Sequence, residues 1–108
     1  MTIRFALVTD SHYHPSAEKD FAPPKMLTHS RKVLDAMVPE INSIRPDFVV
    51  HGGDLLCGGG AFEISWETYL QSVADVAEAL EEFDVPLYYV PGNHDCDAEQ
   101  GTFAPLAE

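Results

Sequence analysis

The feature that most constrains this chain is a local order that recurs three times: an apolar run, then a short polar block opening a loop. The runs cover residues 3–9, 48–51 and 87–90, and the blocks after them are Asp10-Ser11-His12, Gly53-Asp54 and Gly92-Asn93-His94-Asp95. Each run reads as a buried strand. Segments of helical length separate them, so the order is β-α-β-α-β, and strands joined through helices pair in parallel by right-handed crossovers. The carboxyl ends of such strands share one edge of the sheet, where ligands bind. Two aspartates, an asparagine and two histidines (Asp10, Asp54, Asn93, His12, His94) therefore converge there, a donor set that reads as a metal site.

Between the blocks the pattern is helical. A loop over residues 10–24, punctuated by Pro15, Pro23 and Pro24, leads to a helix over 25–44, with Leu27, Leu34, Val38, Ile41 and Ile44 at helical spacing. Pro39 lacks an amide donor, which predicts a kink or break near Met37 and Val38. Arg45-Pro46-Asp47 closes this segment, and a glycine-rich loop over 52–60 follows the second run. In the second helix Trp66, Leu70, Val73, Val76, Ala77, Leu80 and Phe83 form a core-facing stripe, with Glu67, Asp75, Glu78 and Glu82 off it. Beyond Asp95 no periodicity continues. Tyr13 and His14, beside the first block, read as ordinary loop residues, with substrate contact as the alternative, and His29 as exposed near a helix start.

With 108 residues, 45% of them apolar, the chain suits one soluble domain at most. No apolar run approaches the ~20 residues that span a bilayer. The first run begins near residue 3 and leaves no room for a signal peptide, so the expected location is cytoplasmic. Cys57 and Cys96 lie in no paired motif and read as reduced thiols. All six basic residues precede position 46, and the 13 carboxylates from Pro46 onward meet no Lys or Arg. Such a surface repels nucleic acid, whose binding rests on cationic contacts to phosphate. The acidic half is a solvated helix face, or one compensated by bound cations or by a more basic segment elsewhere. His51-Gly52-Gly53 resembles a lipase oxyanion motif, but no Gly-x-Ser-x-Gly elbow accompanies it, which excludes a serine hydrolase. Gly58-Gly59-Gly60 meets neither the dinucleotide fingerprint nor the P-loop spacing.

The three blocks, in this order, resemble the calcineurin-like metallophosphoesterase superfamily, whose pattern continues with a lone His and a Gly-His-x-His. Gly53-Asp54-Leu55-Leu56 lacks the Asp-Arg-Gly of the serine/threonine phosphatases, and Asp95 stands where they carry Glu. With the Arg45 to Val50 lead-in and Tyr89-Val90-Pro91, this is more similar to the cyclic-nucleotide phosphodiesterase-like branch. The resemblance implies an α/β fold: a parallel β-α-β-α-β half of a four-layer sandwich, with residues 1–108 as the N-terminal part of one domain. It implies a phosphodiesterase or phosphatase in which two divalent ions (Mn, Fe or Zn) activate a hydroxide to attack phosphorus. Asp10, His12 and Asp54 would hold one ion, and Asp54, bridging, with Asn93 would hold the other. His94 would protonate the leaving oxygen or stabilise its charge, and Asp95 would fix the His94 tautomer unless it simply caps a turn. No histidine follows His94, so the later ligand blocks are absent and this chain alone is expected to be nearly inactive. Alternatives are a non-catalytic scaffold of the same fold and a fragment that associates with a second copy. The expected substrate is a small phosphate ester.

Overall fold

The computed structural model describes residues 1–18, 20, 26–58, 62 and 64–96. Three strands, β1 (Phe5–Val8), β2 (Phe48–His51) and β3 (Leu87–Tyr89), alternate with two helices, α1 (Ser30–Ile44) and α2 (Trp66–Leu80). The strands lie in chain order, and both pairings are parallel, with Phe5 opposite Phe48 and His51 opposite Tyr89. Sequential order with crossovers of one hand places both helices on the same side of the sheet, and α1 and α2 do touch. Among the described residues, no helix is long and apolar enough to cross a membrane.

Local chemistry sets the element ends. Arg45 adopts a left-handed conformation (φ 49°) that stops α1. Asp47 then donates its amide to Arg4 O (2.7 Å) and accepts the Arg4 amide on Oδ2 (2.8 Å), which fixes the β1–β2 register. Ser65 caps α2 by accepting the Thr68 amide at 3.1 Å.

Several expectations change. A 3-10 turn, Leu27–His29, precedes α1, and the proposed helix start at Lys25 lies outside the described residues, as do parts of both glycine-bearing and proline-bearing loops and the tail from residue 97. Of the expected kink or break at Pro39, the break does not occur, since α1 continues through it. Pro39 and Asp35, whose carbonyl loses its amide partner, both lie on the wet side of the helix, so water can replace the missing bond. On α2 the buried residues are Tyr69, Ser72 and Val76, while Leu70 is 39% exposed and Phe83 lies past the helix end. Trp66, Val73 and Leu80 of the expected stripe pack against the core with Val76, and the stripe widens to include Tyr69, whose hydroxyl donates to Asp95 O at 2.7 Å, and Ser72, which donates to Thr68 O at 2.8 Å. Polar groups satisfied in this way can be buried at little cost. Tyr13 is a core residue, 2% exposed, and donates to Asp75 Oδ2 at 2.6 Å. His29 is exposed, as expected.

The core joins Tyr13, Leu34, Leu55, Leu56, Tyr69 and Val76, and β2 adds Val49 and His51 beneath the helices. The opposite sheet face is open. Phe5 (57%), Leu7 (66%) and Tyr88 (60%) are exposed there, so the outer strands are not buried on both sides as their sequences suggested. Phe5 stacks on Phe48 with centroids 5.3 Å apart, and Phe48 meets Tyr88 edge-on at 5.8 Å.

The two faces make a direct comparison. Leu34→Ala empties a fully enclosed site and is expected to destabilise this chain by about 2–5 kcal/mol in urea unfolding. Leu7→Ala on the open face should change it by no more than about 0.5 kcal/mol. Equal losses would show that the open face is covered in solution.

Candidate metal centre

Past the strand ends, the hydrogen-bond ladder continues between loops. Asp10 N donates to Gly53 O (2.9 Å), His12 N to Asp54 O (3.0 Å) and Tyr13 N to Leu55 O (2.8 Å), so the first two polar blocks run side by side. Among the described residues four non-glycines have positive φ, and three of them are Asp10 (58°), His12 (44°) and Asp54 (54°). Left-handed backbone costs an L-residue on the order of 1–2 kcal/mol. Its concentration on these three residues marks a place where side-chain aim outweighs local comfort.

The result is a compact donor set. His12 Nε2 lies 3.4 Å from Asp10 Oδ1 and 3.9 Å from Asp54 Oδ2, and one ligand atom from each of the three residues falls within 4.8 Å of the others. Asp10 is exposed, Asp54 half-buried and His12 buried, so the set is reached from solvent through Asp10. Two carboxylates and an imidazole suit a divalent transition ion, and the residues fit such a cation. Asp54 faces both ways: Oδ2 toward His12, and Oδ1 accepting the His94 amide at 3.0 Å. It therefore sits between the first and third blocks, where a bridging ligand would stand. Asn93 is exposed on the turn beside it. The His94 ring lies edge-on to His12 at 5.4 Å, and Phe62 packs on both, at 4.9 Å from His94 and 5.8 Å from His12.

Asp95 does not do what the sequence suggested. Its carboxylate accepts the amides of Asp54 (2.9 Å), Leu56 (2.9 Å) and Gly92 (2.7 Å), and it is His94 Nδ1 and Gly58 O that lie 2.9 Å apart. A carbonyl only accepts, so Nδ1 carries the proton and Nε2 is the basic nitrogen. The turn-cap alternative is the closer description, because Asp95 also closes on Gly92 through its own amide (3.2 Å). The role of Gly58 has no sequence signal, since any residue offers a carbonyl.

His51, outside the expected donor set, also adjoins the site. Gly53 N donates to its Nδ1 (3.2 Å), which leaves Nε2 to donate to Ser11 Oγ (2.8 Å). Burial pushes this imidazole below its ordinary range, against the pull of the Asp95, Asp10 and Asp54 carboxylates. Period-two alternation along β2 placed it under the helices beside Val49, which was the available signal. Cys57 and Cys96 brace the site as thiols, donating to His12 O and Asn93 O at 3.3 Å.

The second and third blocks approach too closely for side chains at two positions. A Cβ on Gly92 would run into the Asp54 carboxylate, and one on Gly53, already at φ +107°, would lie 2.9 Å from Gly92 N. Gly92→Ala is expected to destabilise the chain by about 1–3 kcal/mol through overpacking. It should also weaken Mn²⁺ binding roughly tenfold or more by displacing Asp54. Calorimetric titration with unchanged affinity would show that Asp54 does not ligate.

Comparison with known proteins bears on the fold and the family. No curated protein sequence matches the chain. Among solved structures, a dimetal phosphatase from Danio rerio superposes with a TM-score of 0.70 at 21% identity, over 86% of this chain and 30% of that one. The chain thus spans under a third of that protein's length, and the likeness establishes the fold. Residues 3–107 match the calcineurin-like phosphoesterase family, and the chain belongs to that family.

Proposed function

We propose that this chain is the N-terminal part of a metal-dependent phosphoric ester hydrolase acting on a small phosphate monoester or diester. The observation that carries the reading is the convergence of Asp10, His12 and Asp54 donors within 4.8 Å at the carboxyl edge of the sheet. Asp10, His12 and Asp54 would hold one divalent ion and Asp54 with Asn93 a second, with Mn, Fe and Zn all compatible with the donors. Divalent ions held there supply Lewis acidity toward phosphoryl oxygens and lower the pKa of water. Asn93 contributes a neutral oxygen, which limits negative charge facing an anionic substrate.

The chain's own residues account for the remaining chemistry. Gly58 O holds the proton on His94 Nδ1, so Nε2 is the atom that can take up a second proton and give it to the leaving oxygen. Phe62, tilted against His12 and edge-on to His94, gives both imidazoles an apolar neighbour. A cleft of about 370 Å³ adjoins Asp10 and His12, with Val8, Leu27, Val33 and Met37 in its wall, and offers an apolar place for the organic part of an ester. A second cleft, about 310 Å³ between α1 and α2, touches none of the site residues.

The open sheet face supports the part-domain reading. The apolar ladder of Phe5, Phe48 and Tyr88 needs a covering layer, and the remainder of the domain would supply both that layer and further metal ligands. A cytoplasmic, reducing setting suits the two thiols.

In the complete protein, hydrolysis of a chromogenic phosphate ester should require a divalent transition metal and vanish on chelation. Asp54→Asn should lose at least about 100-fold activity together with bound metal, since removing a mere hydrogen-bond partner of a ligand can cost up to about 100-fold. His94→Ala should lower kcat by roughly 10²–10⁴ while metal content stays unchanged. Full activity after exhaustive chelation would overturn the reading.

A further inference from the structure

We infer that Asp95 is a positioning residue for the metal centre, acting on the bridging carboxylate Asp54 and on the Asn93 turn rather than on His94. The inference rests on the metal-site reading above. Asp95 is fully buried, and both of its carboxylate oxygens are engaged by backbone amides. Oδ1 accepts Leu56 N, and Oδ2 accepts Asp54 N and Gly92 N. One of these amides belongs to the bridging residue itself, one lies two positions after it, and one directly precedes Asn93. A single carboxylate therefore clips the second polar block to the third.

The clip has a reason in the backbone. Gly53 at φ +107° and Asp54 at +54° form a sharp turn whose amides cannot join the sheet ladder. Buried amides need acceptors, and an ionised carboxylate is the strongest one a side chain provides. Asp95 is itself held from behind, since Tyr69 on α2 donates to its carbonyl at 2.7 Å. The path α2, Tyr69, Asp95, Asp54 thus ties the site to the core. His94 has an independent partner in Gly58 O, so loss of the Asp95 carboxylate leaves the His94 tautomer in place. An isosteric Asn would present an NH₂ group to at least one of the three amides and push Asp54 and Asn93 apart.

The test uses this chain, labelled with ¹⁵N, and Co²⁺ as the probe. In the wild-type chain the Asp54, Leu56 and Gly92 amides should resonate downfield and exchange slowly, and His94 should show the Nδ1–H tautomer. Asp95→Asn should move those three amides upfield and weaken Co²⁺ binding roughly 10- to 100-fold, with the His94 ¹⁵N pattern unchanged. Asp95→Glu, which restores an acceptor-only group, should recover part of that affinity. Affinity within twofold of wild type in Asp95→Asn, or a switch of His94 to the other tautomer, overturns the inference. If Asp95→Asn does not fold, the wild-type amides and the Asp95→Glu titration still decide, and rapid exchange at those three amides overturns it. A wild-type chain with no affinity for Co²⁺ instead sinks the metal-site reading, and the positioning role with it.

Discussion

Parallel pairing of three short strands is the constraint on which everything else depends. Because β1, β2 and β3 run the same way and in chain order, their carboxyl ends open at one edge. The polar blocks after them then have no choice but to meet. The same order commits both helices to one face and, among the described residues, leaves Phe5, Leu7 and Tyr88 exposed on the other. The site and the open apolar face are thus two consequences of one topology.

Meeting is not enough for chemistry, and the cost of aiming the side chains is visible. Asp10, His12 and Asp54 each occupy left-handed backbone, which the inter-loop ladder and the Asp95 carboxylate hold in place. Gly53 and Gly92 let the second and third loops touch where any side chain would separate them. Two carboxylates around a buried imidazole make a concentration of negative charge that a divalent cation would relieve. The acidic bias of the chain beyond Pro46 works in the same direction.

Much of this was legible in the residues. The strand at residues 48–51, the helix through Ile44 and the convergence of Asp10, His12 and Asp54 follow from alternation, helical spacing and parallel topology. What could not be read depended on groups without side-chain identity or on contacts distant in sequence. The Gly58 carbonyl that orients His94 is chemically the same at every residue. Asp95 looked like a partner for the neighbouring His94, but its oxygens turn back to amides at Asp54 and Leu56, some 40 positions earlier. The α2 stripe is right for Trp66, Val73, Val76 and Leu80, which pack on the core, and incomplete for Tyr69 and Ser72, which are polar by type yet satisfied when buried. Pro39 did not break α1 because the bond it deletes lies on the solvent side.

The central claim is that the three loops, rather than the acidic surface as a whole, hold a divalent cation. Substoichiometric Mn²⁺ added to ¹⁵N-labelled chain tests it most directly, because paramagnetic broadening falls steeply with distance from the ion. Broadening should be confined to amides of residues 9–13, 52–58 and 91–96, with the outer face of α2 unaffected. Broadening centred on Glu67 and Glu78 of α2 and on Glu82 just past its end, with Asp10, His12 and Asp54 sharp, would contradict it.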